Sequence, residues 1–343
     1  MAEAVVIPAG ALLVAMAAFG IFCAFAGANP FGVYGSIRKA AFGSWYSFQN
    51  TLVHAAPVML CALCTAIPLR LGMVIIGNEG ALVMGGLGAV IAGTHWTSLP
   101  PTMALIAMAV AGMVFGGLWI MACGAMKLYR GVNEVISSLL MNYIAIAVLN
   151  HLVNGPMRDP TSLNKPSSYP IPDANALGTI PGTFVHWGLV YGVVACLLVW
   201  FLMERTTYGF QVRIIGGNIR AARIVGLPVG LITLSACLLA GACAGLAGMV
   251  EVAAVQGRAN ESLAAGYGYS GILVAFVGRA NALGVLLVSI LLGGILASGG
   301  ILQRQHHLSD ATVLVFQGIV FVAILYSDSL YGRFKIFQER AQE

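Results

Sequence analysis

The chain is predicted to be an all-α polytopic membrane protein of about ten transmembrane helices. Residues of the apolar set AVILMFWYC make up 59% of its 343 positions, and charged residues only 8%. So few charges cannot cover the surface of a soluble domain, and the mean hydropathy is +0.90. Apolar runs of spanning length alternate with short polar breaks. Glycine recurs at close-packing spacing, as in Gly112-x-x-x-Gly116 and Gly241-x-x-x-Gly245, and Gly293 with Ala297 adds a small-residue pair.

Spans are expected near residues 4–27, 48–69, 71–93, 101–126, 132–153, 184–203, 229–249, 267–279, 283–300 and 309–327. The first lacks a basic n-region and a small-residue cleavage site, so it reads as a retained span. Two stretches, 71–93 and 250–279, are interrupted by glycine and are expected to be broken helices. The seven cysteines all fall in apolar runs, so even Cys61-x-x-Cys64 reads as packing.

With the N-terminus inside, Arg70, Lys127, Arg130, Arg205, Arg213, Arg220, Arg223, Arg279, Arg333, Lys335 and Arg340 become cytoplasmic. Arg38, Lys39, Arg158, Lys165, Arg258 and Arg304 fall outside. That bias follows the positive-inside rule and puts both termini in the cytoplasm. The loop 154–181 is then external, and its six prolines make it an extended, semi-rigid segment, either a plain connector or a partner contact.

The segment 206–228 is a polar, arginine-bearing island between apolar helices. Thr206 and Gly209 mark a turn, Gly216-Gly217-Asn218 a break, and 219–225 a short helix ended by Gly226 and Pro228. Arg213, Arg220 and Arg223 lie on it, where a soluble partner can press.

Acidic and amide groups at membrane depth are costly unless they face protein or a watery cavity. Glu79, between Gly77 and Gly80 and next to Asn78, either lines a cavity at a broken helix or caps the helix that follows. Glu134 after Asn133 reads as a first-turn acid behind an N-cap. Ser138 and Asn142 share a helix face, with Tyr143 adjacent, and Asn142 serves either helix packing or a solute hydroxyl. Glu251, Gln256 and Tyr269 lie in a second glycine-rich polar patch of similar character.

No G-x-x-x-x-G-K-[ST] motif is present, because none of the four lysines follows a glycine. No His/Cys/Glu cluster has metal spacing, and no G-x-S-x-G or H-E-x-x-H motif occurs. The sequence therefore points to no catalytic residue, no metal and no cofactor. Without a basic stripe carrying interleaved aromatics, nucleic acid is not an expected partner.

Several of these stretches resemble one family. GMVIIGNEGALVMG resembles the G-x-x-N-I-G-x-E-G-Q motif of the ABC-importer permeases for simple sugars and nucleosides. GVNEVISSLLMNYIA is similar to that family's G-V-N-E-V segment, and TTYGFQVRIIGGNIRAARIVGL to its cytoplasmic segment. AGLAGMVEVAAVQGR and GYGYSGILVAFVGRANALG match its later glycine-rich parts, so the likeness runs from about residue 48 to 300. The N-E-V segment and external loop point to the nucleoside branch. Ile75 and Ala81 depart from the family's Asn and Gln, and Asn78 replaces a small residue.

The resemblance implies an inner-membrane permease subunit for a nucleoside (a purine nucleoside) or related sugar. It implies a cytoplasmic ABC ATPase, a second homologous permease and an external substrate-binding lipoprotein as partners, in a lipid bilayer. The solute pathway would use Asn78, Glu79, Ser138, Asn142, Tyr143, Glu251, Gln256 and Tyr269. Arg213, Asn218, Arg220, Arg223 and Gly226 would couple to the ATPase. The alternative is an ion-coupled secondary transporter using Glu79 or Glu251; the arginine island, which such a carrier does not need, favours the importer.

Overall fold

The computed structural model describes residues 3–96, 99–162, 165–309 and 311–328. The basic residues Arg333, Lys335 and Arg340, and both chain ends, lie outside the described residues. Those described form fourteen α-helices with short 3₁₀ and π turns and three isolated β-bridges. The chain divides into two compact units, residues 1–51 with 293–343 and residues 52–292.

In the first unit, α1 (Glu3–Phe25) and α2 (Pro30–Phe42) form a pair bent by 115°. Gly27 adopts a left-handed φ of 79°, and the Asn29 side chain caps α2 by accepting from the Phe31 N–H at 3.0 Å. Phe19 of α1 stacks on Phe316 of α14 (Ala311–Asp328), with centroids 4.4 Å apart. Ser36 meets Gln305 and His306 of α13 (Gly299–His306) at 3.0 and 2.9 Å.

The second unit is built around most of α3 (Trp45–Leu69), with α4 (Asn78–His95), α5 (Pro101–Arg130) and α10 (Val229–Val250). Around them lie α6 (Glu134–Asn154), α7 (Gly188–Arg205), α8 (Thr207–Gly217), α9 (Ile219–Ile224), α11 (Tyr267–Val277) and most of α12 (Ala282–Ala297). Its core gathers Leu60, Leu82, Leu87, Met108, Leu149 and Met249. Helices α4, α5 and α10 touch backbone to backbone at glycines. A Cβ at Gly85 would lie 2.3 Å from Gly245 Cα, and one at Gly116 would lie 2.6 Å from the Gly241 carbonyl. Any side chain there would hold the helices apart.

Among the described residues, six helices are long and apolar enough to cross a membrane, or seven if the bent pair is one span. The expected ten is therefore not reached on that measure. Helix α11 has only 11 residues, about 16 Å at 1.5 Å per residue, against a hydrocarbon layer of ~30 Å. The expected span 71–93 is corrected too. Residues 73–76 are not helical, and α4 starts only at Asn78.

The helix ends follow their sequence signals. Gly131, at φ 66°, closes α5 by donating to the Lys127 carbonyl. Asn133 caps α6 by accepting from the Val135 and Ile136 N–H groups, and Glu134 in its first turn pairs with Lys127 at 2.6 Å. The cap reading of Glu134 describes this geometry.

Candidate functional site

The site begins where α3 turns into the non-helical entry to α4. Backbone groups freed by such a break must find partners, because the membrane interior offers none. Side chains of α3 and α6 supply them. Thr65 donates to the Ile75 carbonyl at 2.8 Å. Ser138 accepts from the Ile76 N–H at 3.0 Å, and Asn142 donates to the Ile76 carbonyl at 2.8 Å. The Asn142 oxygen also accepts from Gly80 N–H at 2.7 Å. Asn78 donates to the Cys61 carbonyl and the Thr65 hydroxyl, both at 2.9 Å. Three of the expected pathway residues, Asn78, Ser138 and Asn142, therefore meet here, and all three are occupied in holding the break.

Glu79 lies between Asn78 and Gly80 in the first turn of α4 and is 1% exposed. Its carboxylate accepts from the Gly266 N–H at 2.7 Å and the Gly268 N–H at 2.6 Å. Those amides open α11, so the N-termini of two broken helices meet across one carboxylate. A Cβ at Gly268 would lie 2.3 Å from Glu79 N, so the approach requires glycine. Two positive helix ends would repel, and the carboxylate between them offsets that. Glu79 is thus a strut between helices; both of its oxygens are taken.

Between the two gripped glycines stands Tyr267, whose hydroxyl lies 3.0 Å from His54 Nδ1 on α3. Glu251 opens the π turn Glu251–Gln256 that continues α10, and is 2% exposed. Such π turns are common where function needs a locally altered helix. Gln256 lies 3.5 Å from the Asn260 amide. Tyr143 and Tyr269 are 61% and 43% exposed, and the Tyr269 hydroxyl reaches the Asn142 side chain with Glu79 and Tyr143 in electrostatic range.

The proline-rich loop is stitched to that π turn and to the chain after it. Ser168 and Ile171 N–H groups donate to the Ala259 and Gly257 carbonyls at 2.9 Å, and Leu177 donates to Ala253 at 2.7 Å. Arg258 bonds Ser167 at 3.2 Å, and Lys165 contacts Ser262. Bonds from the Thr161 hydroxyl and N–H, with Arg258 nearby, hold the Asp159 carboxyl below its ordinary range.

At the opposite, arginine-rich end, α8 and α9 form the island. Asn218 caps α9 by accepting from the Arg220 and Ala221 N–H groups at 3.0 and 3.1 Å, and Gly226 at φ 81° follows its end. Ala222 faces inward while Arg220, Arg223, Ile224 and Val225 are exposed. Arg213 pairs with Glu204 at 2.8 Å, and Glu204 also takes Arg70 at 2.6 Å. Arg70 donates in turn to the Ala280 carbonyl at 2.9 Å. A Cβ at Gly216 would lie 2.1 Å from the Arg70 carbonyl, so the island is pressed against the end of α3. Arg213 therefore ties the island to the rest of the unit.

Sequence reasoning did not single out His54, Thr65, Tyr267 or Glu204. His54 carried the signal already used for Glu79, an ionisable group inside an apolar span.

Broken helices meeting at a buried carboxylate, in a chain whose described residues include six helices apolar enough to cross a membrane, fit a polytopic membrane transport protein. The chain belongs to the family described as branched-chain amino acid transport system / permease component, whose model matches residues 47–325. It is 31% identical to the glucose ABC transporter permease protein TsgB13 of Haloferax volcanii, over 96% of this chain and 89% of the relative. It is 30% identical to the guanosine ABC transporter permease protein NupP of Bacillus subtilis, over 84% of each. The nucleoside ABC transporter permease protein NupB of Lactococcus lactis is 24% identical over 77% of this chain and 75% of that one. This chain is accordingly an integral membrane permease subunit of an ATP-driven importer, working with an ATPase and a substrate-binding protein.

Proposed function

We propose that this subunit forms the import path for a nucleoside, a purine nucleoside by preference, or a related sugar. The observation that carries this reading is the meeting of α4 and α11 at Glu79, with Glu251 and Tyr267 beside it, a polar centre inside an apolar bundle. Relatives named for guanosine and for glucose support the solute class. The pathway is assigned to this centre, with Asn78, Ser138 and Asn142 fixing its shape and Gln256, Tyr143 and Tyr269 on its approaches. We further assign ten membrane passes within one permease domain, counting α4 and α11 as broken spans, and both termini to the cytoplasm.

In this arrangement 154–181 is external and meets a substrate-binding lipoprotein, while 206–228 docks the ATPase through Asn218, Arg220, Arg223 and Gly226, with Arg213 anchoring it from behind. A second, homologous permease completes the path, as paired permeases in Bacillus subtilis and Lactococcus lactis suggest. The test is uptake of labelled guanosine and glucose by cells with and without this chain. Equal uptake of both solutes in the two strains would refute the solute assignment.

A further inference from the structure

We propose that α2 and α13 of the first unit form a basic surface that selects acidic lipid headgroups, an inference that needs the membrane class of the chain but not its solute. Val33, Ser36, Ala40 and Ala41 of α2 are buried, at the spacing of one helix face. Thr51 donates to the Ala41 carbonyl at 2.9 Å, and a Cβ at Gly294 would lie 2.7 Å from Ala41 Cβ. Ser36, bonded to Gln305 and His306, ties α13 alongside. The 115° bend turns α2 across the line of α1, the first of the membrane passes assigned above. A helix turned so far from a spanning helix lies along the bilayer surface.

The exposed side of this pair carries cations without counter-charges. Arg38 and Lys39 follow closely on Ser36, Arg304 precedes Gln305, and all three are exposed. None makes an ion pair among the described residues. The sequence offers them few candidates, with no Asp or Glu between Glu3 and Glu79 or between Glu261 and Asp310. In the assigned orientation these three lie outside, so positive-inside sorting does not account for them. Two other basic residues outside, Lys165 and Arg258, are met by Ser262 and Ser167.

Aromatic rings point to the partner. Phe31 at the start of α2 and Trp45 and Tyr46 just beyond its end are all exposed, and such rings collect at headgroup level. Lysine and arginine at that level gain from anionic lipid, and arginine meets phosphate oxygens in pairs. An acidic protein would match the cations, but the rings beside them favour hydrocarbon. A lipid with an acidic headgroup supplies both.

The experiment uses the full chain in nanodiscs, with brominated phosphatidylglycerol or brominated phosphatidylcholine diluted into the other, unbrominated lipid. Trp45 is the reporter, its fluorescence taken as the difference between each protein and the same protein carrying Trp45→Phe. Quenching gives the ratio of the two lipids' affinities at this surface. Wild type should prefer phosphatidylglycerol about fivefold, the effect of one basic contact with an anionic surface. The preference should fade as salt rises from about 0.1 to 1 M, where the screening length falls from about 10 to 3 Å. Arg38→Gln, Lys39→Gln and Arg304→Gln together should bring the ratio close to one, while Arg38→Lys with Arg304→Lys should keep most of it. Equal quenching by both lipids in wild type overturns the proposal, as does a preference that survives the triple Gln substitution. Loss of the substrate-binding protein from that variant, with the preference intact, would make the surface a protein interface instead.

Discussion

Substituting Gly245 by alanine tests the glycine seam on which the second unit is built. The added Cβ would sit 2.1 Å from the Gly112 carbonyl oxygen, 2.9 Å from its carbon and 3.1 Å from Gly116 Cα. All three are backbone atoms of α5, so no side chain can rotate away. An ordinary carbon–oxygen contact is about 3.3 Å, and α10 must back off by roughly 1.2 Å. A gap of that size forfeits up to half of each neighbouring dispersion contact, and overpacking of this kind costs about 1–3 kcal/mol. For a unit of this size each kcal/mol moves Tm by about 2–4 °C, giving a drop of roughly 2–12 °C. Gly178 has no atom within 4 Å of its would-be Cβ, so Gly178→Ala is the control. Thermal unfolding of the purified protein in detergent, followed by tryptophan fluorescence, reads both. If Gly245→Ala melts with wild type and the control, the seam is not holding the helices.

Glu79→Gln places an amide N–H₂ against one of two backbone N–H groups, and bonds to a charged acceptor are worth about 1.5–3 kcal/mol each. Amide exchange at 266–268 should speed up and uptake should fall, while membrane insertion stays normal; unchanged exchange would release Glu79 from the strut role. Exchanging Arg220 and Arg223 together for Glu should weaken ATPase co-purification more than exchanging both for Ala, because an acidic groove would add like-charge repulsion. Full recovery of ATPase with the Glu pair takes the docking role from these side chains. Tyr169 is 53% exposed beside the buried Ser168, and the native cysteines with described side chains are all buried. Tyr169→Cys should therefore react with an impermeant maleimide added outside intact cells, and reaction only after permeabilisation would reverse the orientation.

Much of this was readable in the residues. Spanning segments showed as apolar runs because a bilayer demands length and hydropathy together. Asn133 announced its helix because a cap is a local event, a side-chain oxygen reaching two or three residues ahead; Asn218, read only as part of a break, turns out to cap α9 in the same way. The Gly112/Gly116 and Gly241/Gly245 pairs announced a close approach, though not that α4 joins through Gly85. Glu79 was visible as a buried acid, but its partners lie 187 and 189 residues away, and no local pattern encodes such a pairing. For the same reason Arg213 read as a docking charge until its distance to Glu204 placed it in an ion pair. The expected span 267–279 overshoots α11 by two residues, because the chain leaves the helix at the glycine turn of Gly278 before reaching Arg279.

The most direct test of the central claim is solute entry into proteoliposomes holding this chain with its ATPase, second permease and binding protein. Labelled guanosine and labelled glucose are each supplied with ionophores present to collapse every ion gradient. The account predicts accumulation of at least one of them that requires ATP, survives the ionophores and vanishes when this chain is omitted. Accumulation that ignores ATP and is abolished by the ionophores would contradict it and make the chain an ion-coupled carrier.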